Sequence, residues 1–162
     1  MGSKINKILP KDRLKEQLDG SRETGKTIVF TNGCFDILHV GHVRYLREAK
    51  KLGDILVLAL NSDVSVRAIK GEKRPLVPED ERADIMAGLE SIDYVILFDD
   101  PTPQRLIEYL QPDILVKGGD WAEEAIAGAD FVKARGGRVI TIPLTEGRST
   151  TNIVEKIRQV YD

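Results

Sequence analysis

Two histidines, His39 and His42, are the only ones in the 162 residues, and they stand three positions apart in the stretch Asn32–His42. On the first turn of a helix they would share one face. Two imidazoles beside free helix N–H groups make a site for an oxyanion, above all one that gains charge during reaction. The plain alternative is a pair of surface capping residues. Zinc is another, with Cys34 and Asp36 as further ligands, but no other metal-type spacing exists in the chain. Cys34 has no visible activating partner beyond neighbours in sequence, which speaks against a thiol nucleophile. Gly33 allows a tight turn ahead of the histidines, and Gly41 allows a phosphate to approach the helix start.

Three further segments carry polar chemistry. Lys70, Lys73 and Arg74 surround Gly71 ahead of Pro75 and Pro78, with Arg82 on the following helix. They read either as a mobile phosphate-binding flap or as a solvated face. Lys117-Gly118-Gly119-Asp120-Trp121 ends an apolar run; its glycines let backbone lie against a planar or sugar ligand, and Asp120 can accept from ribose hydroxyls. Trp121 would stack on a base or, more commonly, cover the core. Ser149-Thr150-Thr151-Asn152 supplies N-cap residue types to a last helix carrying Ile153, Val154, Ile157 and Val160. The segment Gly20–Thr27 matches the phosphate-loop pattern GxxxxGK[ST] letter for letter, but a charged helix enters it and a strand leaves it. That is the reverse of what the motif requires, so a Gly-rich turn is the expectation.

The elements that must position these residues follow from periodicity. Short Val/Ile-rich runs at Thr27–Phe30, Ile55–Leu60, Tyr94–Leu97, Ile114–Val116 and Arg138–Ile142 predict five buried strands. Helices are predicted at Lys11–Leu18, from His42 to Gly53, over Asp63–Ile69, from Pro78, over Pro103–Leu110, over Glu123–Ala134 and after Ser149. Strands alternating with helices imply right-handed crossovers and a doubly wound, five-stranded parallel sheet of Rossmann-like α/β type. A leading helix and turn occupy residues 1–26 and one domain residues 27–162, without repeat or linker. Ligands of such sheets bind beyond the carboxyl ends of the strands, where strand order reverses.

Composition narrows the class. The chain is 41% hydrophobic and 31% charged, with 24 basic against 26 acidic residues and a net charge of −2. That balance argues against a dedicated nucleic-acid module. One cysteine excludes an internal disulfide framework. The longest apolar run, Ile55–Leu60, is far short of the roughly 20 residues a membrane helix needs. Met1–Ile8 lacks the apolar stretch of a signal peptide, so a cytoplasmic protein is expected.

Gly33-Cys34-Phe35-Asp36, His39-Val40-Gly41-His42 and Gly147-Arg148-Ser149-Thr150-Thr151 together resemble the HxGH-type nucleotidyltransferases of the cytidylyltransferase-like family, from about Thr27 onward. Within it, TNGCFDILHVGHVRYL, NSDVSVRAIKGEKRP, DILVKGGDW and EGRSTTNI look most like the adenylyltransferase domains of ADP-heptose synthases. Two departures set the chain apart from the glycerol-phosphate cytidylyltransferases: Leu144-Thr145 replaces their Arg-Thr pair, and Cys34 stands where they commonly have Thr. The resemblance implies transfer of AMP from ATP to D-glycero-D-manno-heptose 1-phosphate, giving ADP-heptose and pyrophosphate. Alternatives are a glycerol 3-phosphate cytidylyltransferase, an FMN adenylyltransferase, or a nucleotide-binding regulatory module without turnover.

By resemblance, His39 and His42 contact the triphosphate, and Cys34 and Phe35 offer backbone near the α-phosphate. Arg148, Ser149, Thr150 and Thr151 cradle the outer phosphates, and Gly118 and Asp120 serve ribose and base. Lys70, Lys73, Arg74 and Arg82 are candidates for substrate phosphate, Lys70 also for catalysis. Mg²⁺ is expected with the triphosphate, without a dedicated protein cage. A homodimer with small-molecule substrates, and no membrane or nucleic-acid partner, completes the expectation.

Overall fold

A computed structural model describes residues 6–119 and 121–161. The Val/Ile/Leu runs form β1 (Ile28–Gly33), β2 (Ile55–Asn61), β3 (Tyr94–Phe98), β4 (Ile114–Gly118) and β5 (Arg138–Ile142), all parallel in the order β3-β2-β1-β4-β5. All seven residues of β2 are buried, as an interior strand covered on both faces requires. The expected doubly wound five-stranded sheet is the one found. Chain order runs outward from β1 through β2 to β3, then returns to β4 and β5 on the other side. Strand order therefore reverses between β1 and β4, and a crevice opens there.

Helices cover both faces. On one, Tyr45, Leu46 and Ala49 of α2 (Val40–Lys50) and Ala83 and Met86 of α4 (Glu79–Ala87) pack on Val29, Leu56, Leu58 and Val116. On the other, Leu14 and Leu18 of α1 (Lys11–Glu23) and Leu106, Ile107 and Leu110 of α5 (Gln104–Leu110) pack on Ile28, Phe30, Val57 and Leu115. The short α3 (Asp63–Lys70) follows β2, and α7 (Thr150–Tyr161) follows β5. Strand-initiating amides at the amino edge are held by carboxylates: Thr27 by Asp54, Leu56 by Asp93 and Ile28 by Asp113, each at 2.7 Å. The carboxyl edge is left for a ligand.

The leading segment is part of this packing. The Leu9 amide donates to the Val95 carbonyl and the Val95 amide to the Lys7 carbonyl, which extends the sheet beyond β3. Gly20 lies inside α1 and Gly25, at φ 76°, turns the chain into β1. Thr27 then accepts from Asp54 and Ile55 at the amino edge. The phosphate-loop look-alike thus sits at the end of the sheet opposite the crevice.

The single helix expected over Glu123–Ala134 is two pieces: a 3₁₀ turn at Glu123–Ala125, then α6 (Ala129–Ala134). Gly128 separates them at φ 85°, a left-handed backbone that favours glycine, and a Cβ there would come within 2.7 Å of Ile107 Cδ1. Gly128→Ala should therefore cost about 1–3 kcal/mol of stability, the scale of left-handed strain or overpacking. Urea unfolding measures it; an unchanged midpoint would show that the loop relaxes freely.

Candidate active site

The first turn of α2 is built by the two histidines. His39 is the N-cap: its Nδ1 accepts from the Gly41 amide at 3.1 Å, while His42 Nδ1 accepts the His39 amide at 3.4 Å. The rings stack with centroids 3.8 Å apart and planes at 26°. Each Nδ1 is an acceptor, so each ring carries its proton on Nε2. Burial lowers the His39 pKa; burial, then the His39 ring, lowers that of His42 from 6.5 to about 4. Near neutrality the site holds two uncharged imidazoles with an Nε2–H each to give. The capping role weighed in the sequence is present, and it uses the Nδ1 of each ring, not the Nε2. Gly41 also has a steric reason: a Cβ there would fall 2.8 Å from His39 Cε1, so it makes room for the ring that caps the helix.

A second helix start meets the first. Ser149 Oγ accepts the Asn152 amide at 3.1 Å and so caps α7, leaving the Thr150 and Thr151 amides without intrahelical acceptors. The Gly41 Cβ position is 3.4 Å from Arg148 Cβ, so the two helix starts adjoin. The crevice they face has a volume of about 790 Å³ and extends over the ends of β1 and β4. Gly33, Cys34, Phe35, His39, Gly41, His42, Lys70, Arg74, Gly118 and Arg148–Thr151 all line it. Asp120 lies outside the described residues.

The loop after β1 is held by groups far away in sequence. Asp36 is buried, and its carboxylate accepts from the Leu76 amide at 2.9 Å, the Val77 amide at 2.8 Å and Arg74 Nε at 2.5 Å. Burial opposes its ionisation, but the Val77 and Leu76 amides and the Arg74 guanidinium prevail and hold its pKa below the ordinary value. The flap at residues 71–78 is thereby tied to the histidine loop. Phe35, at φ 46°, packs its ring against the Gly33 Cβ position and edge-on to His42 at 4.9 Å. Gly33 is thus the last residue of β1, kept bare by that ring. Burial pushes the Cys34 thiol up more than Lys70, Arg82 and Arg74 pull it down, which leaves a poor nucleophile.

Three expectations change. Arg82 is 1% exposed, and its donors are committed to the carbonyls of Val77 (2.9 Å), Cys34 (2.7 Å) and Asn61 (2.8 Å) and to Asp63 Oδ1 (2.7 Å). It is an internal clamp joining the flap, the β1 loop and the end of β2, and is not a phosphate ligand here. Lys73 is exposed and does not line the crevice. Trp121 does not cover the core: it is 50% exposed in the crevice wall, with Lys117 Nζ 5.4 Å from its ring centroid. Among the described residues no three His, Cys, Asp or Glu side chains form a metal-holding group, so the zinc alternative has no ligand set.

Sequence reasoning missed Asp36 as the flap anchor and Tyr45 as a crevice residue, and gave Lys117, in a segment it placed at the ligand edge, no role of its own. Tyr45 bonds Thr31 Oγ1 at 2.6 Å and burial raises its pKa to about 12. Asp36 gave no local signal, because its partners lie about forty residues on. Lys117, a charge ending the apolar strand β4, gave one.

These features define a class: an α/β nucleotide-binding domain whose crevice is suited to transferring a phosphoryl-linked group. Residues 30–156 match the family described as cytidylyltransferase-like, and the chain belongs to that family of nucleotidyltransferases. It is 57% identical over 157 residues to the bifunctional protein HldE of Syntrophotalea carbinolica, and 57% identical over 155 to that of Geobacter metallireducens. Those alignments take in 97% and 96% of this chain but 32% of each relative, so the chain spans about a third of their length. A solved lipopolysaccharide core biosynthesis protein from Thermoplasma volcanium superposes with TM-score 0.60 at 30% identity, over 76% of this chain and all of the other.

Two outcomes follow for the free protein. Removing Arg82 orphans three carbonyls and Asp63, so Arg82→Ala should cost about 3–5 kcal/mol; a loss under about 1 kcal/mol in urea unfolding would mean the clamp is dispensable. Between pH 6.5 and about 4 the unfolded chain protonates His42 while the fold keeps it neutral. The unfolded state then binds more protons, so stability should fall as pH drops through that window. Urea midpoints across it give the slope, which His42→Asn should flatten; equal slopes would contradict the buried neutral ring.

Proposed function

We propose that the chain transfers AMP from ATP to D-glycero-D-manno-heptose 1-phosphate, releasing pyrophosphate. The observation that carries the chemistry is the meeting of two helix N-termini, one bearing two neutral imidazoles, at the point where strand order reverses. The identity of the acceptor rests on the sequence resemblance and on the relatives named above.

In this reading an oxygen of the sugar phosphate attacks the α-phosphorus, a bond forms there, and the bond to the β-bridging oxygen breaks. Pyrophosphate departs in line with that electron pair. No covalent catalyst is needed; position and charge stabilisation suffice. The Nε2–H groups of His39 and His42 donate to oxygens whose charge grows as the bond breaks. The free amides of Thr150 and Thr151, with Arg148 and Ser149, receive the outer phosphates. Gly118 and Asp120 serve the ribose and base, and Lys70 and Arg74 stand at the opposite rim for substrate phosphate. The one carboxylate among the described lining residues, Asp36, is already occupied by the flap. Mg²⁺ therefore comes with ATP as part of the substrate, held by phosphate and water oxygens.

The reaction belongs in the cytoplasm, where ATP is available, and we assign the enzyme a homodimeric state. Ile157 and Val160 of α7, both exposed, supply apolar surface for a two-fold contact.

His39→Ala or His42→Ala should lower kcat by about 10²–10³, the scale for one lost oxyanion donor, with a much smaller loss of nucleotide affinity. Cys34→Ser should keep most of the activity. Pyrophosphate release, measured with ATP and CTP against heptose 1-phosphate, glycerol 3-phosphate and FMN, tests the substrates. Turnover of glycerol 3-phosphate with CTP and none of the heptose with ATP would overturn the assignment. No release with any pair would favour a regulatory module.

A further inference from the structure

The crevice reaches over both faces of the sheet, and the groups assigned above to the triphosphate occupy one of them. His39, His42 and Tyr45 belong to α2, which packs on the face of Val29 and Val116. Side chains alternate along a strand. Ile114 and Val116 of β4 enter that core, Leu115 enters the other, and Lys117 therefore leaves on Leu115's side. There the crevice is walled by Pro101–Pro103, Trp121 and Ala125–Ala127. Lys117 is half-buried, and its ammonium has the Trp121 ring, 5.4 Å to the centroid, as its contact. No carboxylate offsets its charge among the described residues.

A cation so placed is costly to the free protein, because burial removes water and no carboxylate among the described residues supplies a counter-charge. Burial accordingly lowers its pKa, with only a contrary pull from Cys34. A bound anion would remove that cost. The other lining cations are differently situated: Arg74 is paired with buried Asp36, Lys70 is exposed at the end of α3, and Arg148 lies beside the α7 start.

In-line displacement decides which anion arrives. Pyrophosphate leaves toward the two helix starts, so the attacking group must come from the opposite side of the α-phosphorus, over the face that Lys117 occupies. We propose that Lys117 joins Lys70 and Arg74 in binding the phosphate of the acceptor substrate and is the group that positions it, with Trp121 and Ala125–Ala127 walling the remainder of that molecule. This rests on the transferase reading and assigns it an acceptor subsite. Because the nucleophile is itself a phosphate, bringing it to a triphosphate sets anion against anion, and Lys117 relieves that repulsion where the two substrates meet.

The test uses Lys117→Met and Lys117→Arg. With heptose 1-phosphate and ATP, the methionine variant should raise the acceptor KM by about 10- to 100-fold, the scale of a lost charge-assisted hydrogen bond. The KM for ATP should stay unchanged and the thermal midpoint should not fall, since a desolvated charge is removed, and arginine should restore part of the acceptor affinity. A second measurement stands apart from the sugar's identity. Trp121 is the only tryptophan in the chain, so its fluorescence reports this subsite directly. Inorganic phosphate, titrated in the presence of a non-hydrolysable ATP analogue, should give a saturable change whose midpoint rises about tenfold or more in Lys117→Met. An equal midpoint in both proteins, or no saturable change in the wild type, would overturn the proposal. So would a methionine variant that weakens ATP as much as the acceptor. Failure of the heptose assay alone, with the fluorescence result intact, would instead count against the substrate assignment.

Discussion

Two backbone amides held by two imidazole nitrogens fix the state of the rings on which the proposed chemistry depends. An N-cap is ordinarily a hydroxyl or carboxylate that satisfies a donor and does nothing else. Here the acceptors are His39 Nδ1 and His42 Nδ1, and each bond fixes the tautomer of the ring that makes it. The amides fix the Nε2–H form, burial keeps the rings uncharged, and the stacking at 3.8 Å holds them as one unit. A protonated pair would repel each other and attract phosphate in the ground state and the transition state alike. Neutral donors favour the state in which charge is developing.

That arrangement is framed by two buried ionic clamps, Arg82 and Asp36. Arg82 gathers the carbonyls of Cys34, Asn61 and Val77, and Asp36 gathers the amides of Leu76 and Val77. Between them they join the β1 loop, the end of β2 and the flap into one frame on the carboxyl edge. Both are charges inside protein, tolerable because almost every donor or acceptor is used. The amino edge is stitched by Asp54, Asp93 and Asp113, so the asymmetry of the sheet, one edge sealed and one open, is written in carboxylates.

How much of this was legible in the sequence follows from the range of each interaction. The strands showed in their Val/Ile runs, because burial on both faces is a local compositional demand. His39 and His42 showed because they stand three positions apart at a helix start. Glu123–Ala134 misled, since its apolar rhythm continues across Gly128 while the packing of Ile107 against that glycine, about twenty residues away, breaks the helix. Arg82 misled for the same reason. Beside Lys70, Lys73 and Arg74 it looks like one more surface cation, and only the fold brings three carbonyls and Asp63 around it. Lys117 was readable in principle: a lysine closing Ile114–Val116 at the switch point is a charge in a place where charge is expensive.

The central claim, that both histidines work as neutral Nε2–H donors, is tested most directly by nitrogen-15 NMR of the imidazole rings. At about pH 7 both rings should show a protonated Nε2 and a bare, hydrogen-bond-accepting Nδ1. His42 should remain neutral until about pH 4, and ATP should move both Nε2–H resonances. Rings protonated on Nδ1, or titrating near 6.5 with Nε2 signals indifferent to ATP, would contradict the account.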